Sequence, residues 1–479
     1  MNPGGTASHP AADSGRGRTA APARRFLEDA AAHVRDTAHR DFVRRALGGY
    51  YASRDLQQSR YRDWEHARDA ASLAKWSAVN RLDELLPRFA AAFERNGGTV
   101  HWARDADEAR RIILDLLHAA RAKAVVKSKC MTSEEIGLNA AMEREGYGVV
   151  ESDLGEFIQQ LRGEPPYHFV FPCMHVRREE ISGLFQRHLG TPATDSPEEL
   201  TMIARRYMRR MYLDADVGIT GANFLVAETG QISITENEGN ARLTAALPRV
   251  HIAIAGIEKV IERLDDLAVL LPMLATAGAG QPMTCYNTLY AGPRQPGECD
   301  GPEEMHLVLL DNRRTAILAD PEQRDSLQCI RCGACLNVCP IFMNVGGFTY
   351  GTTYQGPIGS VITPHLRGLA DWNHLSAASS LCGACTDACP VRIDIHHHLL
   401  RNRRNAARTA GHWLERLGHR LFVATARRPW LFATGGAVFR RTLGLAKRLR
   451  PPLVRQWLAT RDLPPAPARS FRSQWRTRA

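Results

Sequence analysis

Residues 329–340 read CIRCGACLNVCP, and residues 382–390 read CGACTDACP. Cys329, Cys332, Cys335 and Cys339, followed by Pro340, form a CxxCxxCxxxCP run, and Cys382, Cys385 and Cys389, followed by Pro390, repeat its ending. Three thiolates two residues apart wrap one cubane because a tight loop turns each sulfur inward. The fourth is carried away to a neighbouring cluster at the point where proline turns the chain. A pair of CxxC units alone would fit a tetrahedral zinc site. Zinc explains neither the third cysteine of the first run nor the CxxxCP ending of both, so the pattern predicts two iron-sulfur clusters of the [4Fe-4S] type.

Crosswise ligation assigns Cys329, Cys332, Cys335 and Cys389 to one cluster and Cys339, Cys382 and Cys385 to the other. The second set is one thiolate short, and the position where a full block would carry it is Ser379. This leaves open a fourth iron held by Ser379, by another side chain or by water, a [3Fe-4S] cluster, or completion by Cys285 or Cys299 folding back. Few β-branched runs surround these cysteines, so helix and loop are expected over residues 322–400. Cys130 and Cys173 read as small buried residues. His396, His397 and His398 open the next helix, where consecutive residues face different sides, so solvent exposure is expected rather than a shared metal.

Towards the N-terminus the texture changes. Ala109, Ile112, Ile113, Leu116, Leu117 and Ala120 recur at helical spacing, and Ala124, Val125 and Val126 then read as a buried strand. The alternation continues with a helix from Thr132, its capping box closed by Glu135, and a strand over residues 148–150. Further strands are expected at His168–Phe171 and Val250–Ala255, with helices around Leu200–Met211 and Ile257–Leu264. FLVAETGQISIT, residues 224–235, reads as a hairpin turning at Thr229 and Gly230. Such alternation implies an α/β domain with a parallel or mixed sheet between helices. Lys127 and Lys129, between a strand and a helix N-terminus, are candidate ligands for a carboxylate or phosphate. GITGAN and NEGNAR add Gly218, Gly221 and Gly239 with Asn223, Asn240 and Arg242. No GxGxxG fingerprint follows a strand, and no base paired with a hydride acceptor is visible, which favours an electron-relay subunit over a complete dehydrogenase.

The 479 residues carry 62 Lys and Arg against 51 Asp and Glu. Residues 401–479 hold 19 of the basic side chains against Glu415 and Asp462 alone, a net of +17 that leaves −6 for residues 1–400. Basicity therefore belongs to the tail, which argues against nucleic-acid binding by the body. The arginines interleave with Trp413, Leu417, Leu421, Phe422 and Trp430, as expected of a helix on an acidic partner or an anionic membrane surface. The glycine-rich stretch 278–301 marks a connection. The expected layout is a disordered leader at 1–40, the α/β domain at 41–295, a connection at 296–318, the cluster domain at 319–405 and a basic C-terminal region at 406–479, helical before residue 460 and irregular after it. No secretory signal or bilayer-spanning run is present, so a cytoplasmic chain with reduced thiols is expected.

The cysteine blocks, with GEPPYHFVFPCMHVRREEI (163–181), GITGANFLVAETGQISITENEGNARLT (218–244) and DGPEEMHLVLLDN (300–312), resemble the lactate utilization protein B family of iron-sulfur proteins. The resemblance implies a three-layer lactate-utilization domain, similar in fold to the sugar-phosphate isomerase and coenzyme A transferase superfamily, followed by an α-helical two-cluster ferredoxin domain. It also implies oxidation of L-lactate to pyruvate beside two companion subunits, one of them cysteine-rich, in which this chain is a non-catalytic or partly catalytic part. The electron acceptor is not specified. The rival expectation is an acyl-transfer or ligase-type enzyme, with Glu228 or Glu238 as nucleophile or base and clusters that are structural or redox-sensing.

Overall fold

Neighbouring residues of a strand face opposite sides of a sheet, and in this protein both sides are apolar and buried. Val126 packs with Phe157, Ile158, Phe185 and Met208, whereas its neighbour Val125 packs with Ile113, Leu117 and Met142. Ile252 and Ile254 join the core of Val125, and Ala253 and Ala255 join a third core with Leu85, Phe89 and Phe93. The structure, a computed structural model, describes residues 22–409, 413–449, 454–455, 458, 461–462, 465 and 467–476.

Ten strands follow in chain order: β1 (Thr99–Ala103), β2 (Ala124–Lys127), β3 (Gly148–Glu151), β4 (Val217–Gly221), β5 (Phe224–Val226), β6 (Gln231–Glu236), β7 (Val250–Gly256), β8 (Val260–Ile261), β9 (Tyr286–Tyr290) and β10 (Glu304–Leu310). Six form a parallel sheet in the order β1-β10-β7-β4-β2-β3. Helices Ala106–Ala119 and Leu138–Arg144 feed the core on one face. Leu154–Arg162, Arg178–Leu189, Pro197–Asp214 and Leu82–Arg95 feed the cores on the other, which gives the three layers. A smaller mixed sheet runs β8-β5-β6-β9, with the expected hairpin as β5 and β6.

Several expectations give way to tertiary context. The helix near Thr132 is Met131–Glu135, and its cap is Cys130, whose Sγ accepts from Ser133 N. His168–Phe171 is not a strand: the ring Nδ1 of His168 accepts from the backbone N–H groups of Val170 and Phe171 and folds the segment into a turn. Ile257–Leu264 begins with the 3-10 turn Ile257–Lys259 and then pairs as β8 with β5, because its apolar residues complete the small sheet. Residues 278–318 are no mere connection. They contain β9 and β10, and β10 lies between β1 and β7 with Leu307, Val308, Leu309 and Leu310 buried. Residues after 460 are not all irregular, since Phe471–Arg476 is helical.

The leader expected over residues 1–40 also ends early. Residues 1–21 lie outside the described residues, but Pro22–Arg35 is a helix and the next, Thr37–Gln58, is capped by Asp36 accepting from His39 N. Phe26, Val43 and Leu47 enter the same core as Cys335, Cys339, Phe342, Cys385 and Cys389. The compact unit that reaches Arg404 thus contains the α/β layers, these helices and both cysteine blocks, and Asn405 onward forms a second unit. Phe26, 6% exposed, packs edge-on against Tyr350 at 5.9 Å. Phe26→Ala should cost about 3 kcal/mol in a denaturant titration; an unchanged midpoint would show that this helix adds nothing to the core.

Among the described residues no helix is long and apolar enough to cross a membrane. The apolar stretch from Leu267 forms Leu267–Ala279, with Pro272 inside it and Leu270, Leu271 and Met273 buried.

Candidate functional site

The two cysteine blocks share a backbone as well as a spacing. Arg331 and Leu381, each just before a cysteine, both adopt positive φ (62° and 56°), as do Gly333 and Gly383 (82° and 86°). The short helices Ala334–Asn337 and Ala384–Asp387 then follow at matching positions. Two non-glycine residues in the left-handed region at equivalent places indicate that the loop turning the sulfurs inward determines the local conformation. On this register Ser379 stands where the first block has Cys329. It is half-buried, and its Oγ accepts from Leu381 N at 3.1 Å.

One small cavity is lined by Cys329, Cys332, Cys335 and Cys389, with Phe169, Ile358 and Val391 among its apolar walls. Three of these cysteines come from the first block and one from the second. Electrostatic proximity follows the same division with one crossing: Cys332 feels Cys389 and Cys329, Cys385 feels Cys339 and Cys382, and Cys335 feels Cys329 and Cys332 first and Cys385 less. Burial pushes the thiols up, Cys389 to about 11 and Cys385 to about 12, with Cys332 and Cys335 also raised. Thiols crowded and dehydrated in this way shed their protons when a metal takes their place, so the residues fit an iron-sulfur group. Backbone N–H groups already point at two sulfurs: Phe342 N donates to Cys339 Sγ and Ile393 N to Cys389 Sγ. Cys382 is exposed, so the second set lies nearer the surface than the first.

Cys285 and Cys299 are exposed and do not line the cavity; Cys130 is buried and Cys173 partly so. The histidines correct an expectation. His398 is fully buried, with Nε2 2.8 Å from Asp325, because this face of helix Ile395–Thr409 packs inward. His397 alone is more than half exposed, and His396 lies 2.8 Å from Thr386 Oγ1.

In the α/β layers, β2 and β4 are neighbours from which the chain moves off in opposite directions. The crevice beyond their carboxyl ends is where open parallel sheets hold ligands. Lys127 lies there but does not await an anion. It is fully buried, 2.8 Å from Glu151 and 3.3 Å from Glu134. Lys129 donates to Val170 O at 2.7 Å and lies 3.8 Å from Asp153. The expected anion site is thus an acidic cluster, since the adjoining helix has only five residues and carries glutamates. The glycines also serve packing: a Cβ at Gly218 would strike Thr244 O, and one at Gly221 would strike Cys130 Sγ. Asn223 Oδ1 accepts from Thr235 N, Arg242 lies over the Tyr286 ring, and Asn240 is buried at the start of its helix. Glu228 accepts from Leu264 N and Glu238 from Leu154 N, so both candidate nucleophiles are engaged with backbone.

A LUD domain model matches residues 86–310, and a 4Fe-4S dicluster domain model matches residues 325–393. The chain is 43% identical to lactate utilization protein B of Shouchella clausii over 424 residues, 86% of this chain and 88% of that protein. It belongs to the lactate utilization protein B family. The namesake from Bacillus velezensis is 41% identical over 91% of this chain and 94% of its own length. An Escherichia coli relative named as an uncharacterized electron transport protein, YkgF, is 40% identical over 92% of this chain and 94% of its own length. The match to the dicluster domain supports two [4Fe-4S] clusters as cofactors, and the family places the chain in iron-sulfur electron transfer for lactate utilization.

Buried cations surround the first cysteine set, a feature no local spacing announces. Lys75, Lys259 and Arg331 all feel Cys329, and Arg68 donates to Cys389 O at 2.9 Å. Burial lowers Lys75 to about 7 and Lys259 to about 8, each also lowered by its cationic neighbours. No cation is among the principal influences on Cys339 or Cys385.

Proposed function

We propose that the chain is the iron-sulfur electron-transfer subunit of an assembly that oxidises L-lactate to pyruvate, with Cys329, Cys332, Cys335 and Cys389 holding one cluster and Cys339, Cys382 and Cys385 the other. The observation that carries this reading is the cavity lined by cysteines of both blocks. Bound clusters would supply two one-electron sites, matching the two electrons released as lactate becomes pyruvate. Arg331 and Arg68, joined by Lys75 and Lys259 when these are protonated, place positive charge beside the first set, which favours an added electron there. The exposed Cys382 leaves the second within reach of the surface, where a partner would exchange electrons with it. Ser379, on the register of Cys329, would complete the second set.

Companion subunits, one of them cysteine-rich, would supply the chemistry on lactate. The basic tail is the element that would meet them: Leu421, Phe422 and Trp430 are 60–65% exposed among arginines, and opposite charge speeds such encounters. The side chain of Trp413 lies outside the described residues.

The test is anaerobic reduction followed by electron paramagnetic resonance. Dithionite should reduce the isolated protein, and L-lactate should do so only with the companion subunits present. Removing residues 441–479 should leave dithionite reduction intact and slow the lactate-driven reaction, and added salt should slow the full-length protein. Failure of lactate to reduce the complete assembly would refute the reading.

A further inference from the structure

Glu151 ends β3 beside Lys127, which ends β2. Glu134 reaches the same point from helix Met131–Glu135, and Glu156 from the first turn of Leu154–Arg162. One carboxylate oxygen of each glutamate lies within 4.8 Å of the others. Lys127 offers the charge of one ammonium to three carboxylates, and its Nζ is occupied by Glu151 Oε1, Glu134 Oε1 and Ser133 Oγ.

Three of the four remaining carboxylate oxygens are buried and lack donors among the described residues. Glu156 is only 3% exposed, yet neither of its oxygens has a hydrogen-bond partner among the described residues, and Glu151 Oε2 has none either. Asn139 donates to Glu151 Oε1 at 2.6 Å, while its own Oδ1 is buried and unpartnered. Four orphan acceptors around one carboxylate cluster are more than ordinary packing leaves in one place. The ionised cluster carries a net −2 once Lys127 is included, and every free ligand atom is an oxygen.

Oxygen donors without nitrogen or sulfur suit a hard cation rather than zinc or copper. The Glu134 side chain is 25% exposed and offers a way in from solvent. We propose that Glu134, Glu151 and Glu156 bind a divalent cation of the magnesium class at the carboxyl ends of β2 and β3, with Lys127 steadying the oxygens that the cation does not use. The site rests on the α/β residues alone and stands apart from the electron-transfer reading. Without a cation, burial and the neighbouring Glu151 push the Glu156 carboxyl far up, so the rival occupant is a proton.

The experiment is a Mn2+ titration of the full chain, purified without oxygen and with its clusters oxidised, followed by the free-ion paramagnetic signal. One Mn2+ per chain should be taken up and displaced by Mg2+. Glu156→Gln should weaken uptake by at least about tenfold, as losing a ligand does when even outer partners are worth that much, with iron content unchanged. Glu134→Gln, at the most exposed of the three, provides a second variant if the first does not fold. No uptake by the parent protein would assign protons to the cluster and overturn the proposal. Equal uptake by both variants, or uptake lost in His397→Ala, would also overturn it, the latter by moving the ion to Asp394, His396 and His397, the other carboxylate-histidine group. Iron content separately tests the cluster reading.

Discussion

Cys335→Ala protein, purified without oxygen, should carry about four iron atoms where the parent carries about eight, the complement of two cubanes. Cys335 is buried, lines the cavity with Cys329, Cys332 and Cys389, and feels the first two as its nearest charges. Removing it leaves three ligands in a pocket with apolar walls, whose lining holds no other thiol to replace it. Cys385→Ala should remove the other half of the iron. The decisive comparison uses the cysteine that ends each block. Cys389 lies in the second block but lines the cavity of the first set, so Cys389→Ala should lose the same paramagnetic signal as Cys335→Ala. Cys339→Ala should match Cys385→Ala. If each terminal cysteine instead follows its own block, the crosswise assignment is wrong, whatever the total iron.

What the sequence disclosed and what it hid divide by distance along the chain. The inward-facing loops depend on residues two or three apart, and the amphipathic faces of Ala106–Ala119 and Pro197–Asp214 depend on a helical period, so both were legible. β10 was not: its neighbours β1 and β7 are remote in sequence, and the glycines and prolines before it suggested a connection. Phe26 lies in an Ala- and Arg-rich segment with little apolar residue to mark a face, and its partners Tyr350 and His374 are more than 300 residues away. Lys127 and Lys129 looked like anion ligands because the sequence shows the strand-to-helix turn and conceals Glu151 and Asp153, which reach them from the end of the next strand and from the cap of the helix after it. The motif ESDLGE, a strand end running straight into carboxylates, was the signal available for Glu151 and Glu156.

The same distance rule hides the ion network that ties the α/β layers to the cysteine domain, and its loss should be the largest effect on stability away from the clusters. Arg314, 2% exposed, donates to Glu258 Oε2 at 2.6 Å and to Glu135 Oε2 at 2.7 Å. Tyr354 donates to Glu135 at 2.6 Å, and Arg331, from the first cysteine loop, lies 3.3 Å from Glu258. Arg314→Met would leave two buried carboxylates without their main partner and should cost about 3–5 kcal/mol at pH 7. Burial alone would push the Glu258 carboxyl up, but Arg314, Arg331 and Lys259 outweigh it and hold it at about 2, below its ordinary 4.5. A depressed carboxyl stabilises the fold above its ordinary value, and that contribution fades as pH falls towards the folded value. The stability gap between parent and Arg314→Met should therefore be flat from pH 7 to about 5 and narrow below about 4.5, where Glu258 of the variant, freed from Arg314, takes up a proton while the parent keeps its own ionised down to about 2. Acid loss of the clusters affects both proteins alike and largely cancels in the difference. Denaturant midpoints of the pair across this range provide the check: a gap that stays constant down to about pH 3 would show that Arg314 acts through packing, not through the charge of Glu258.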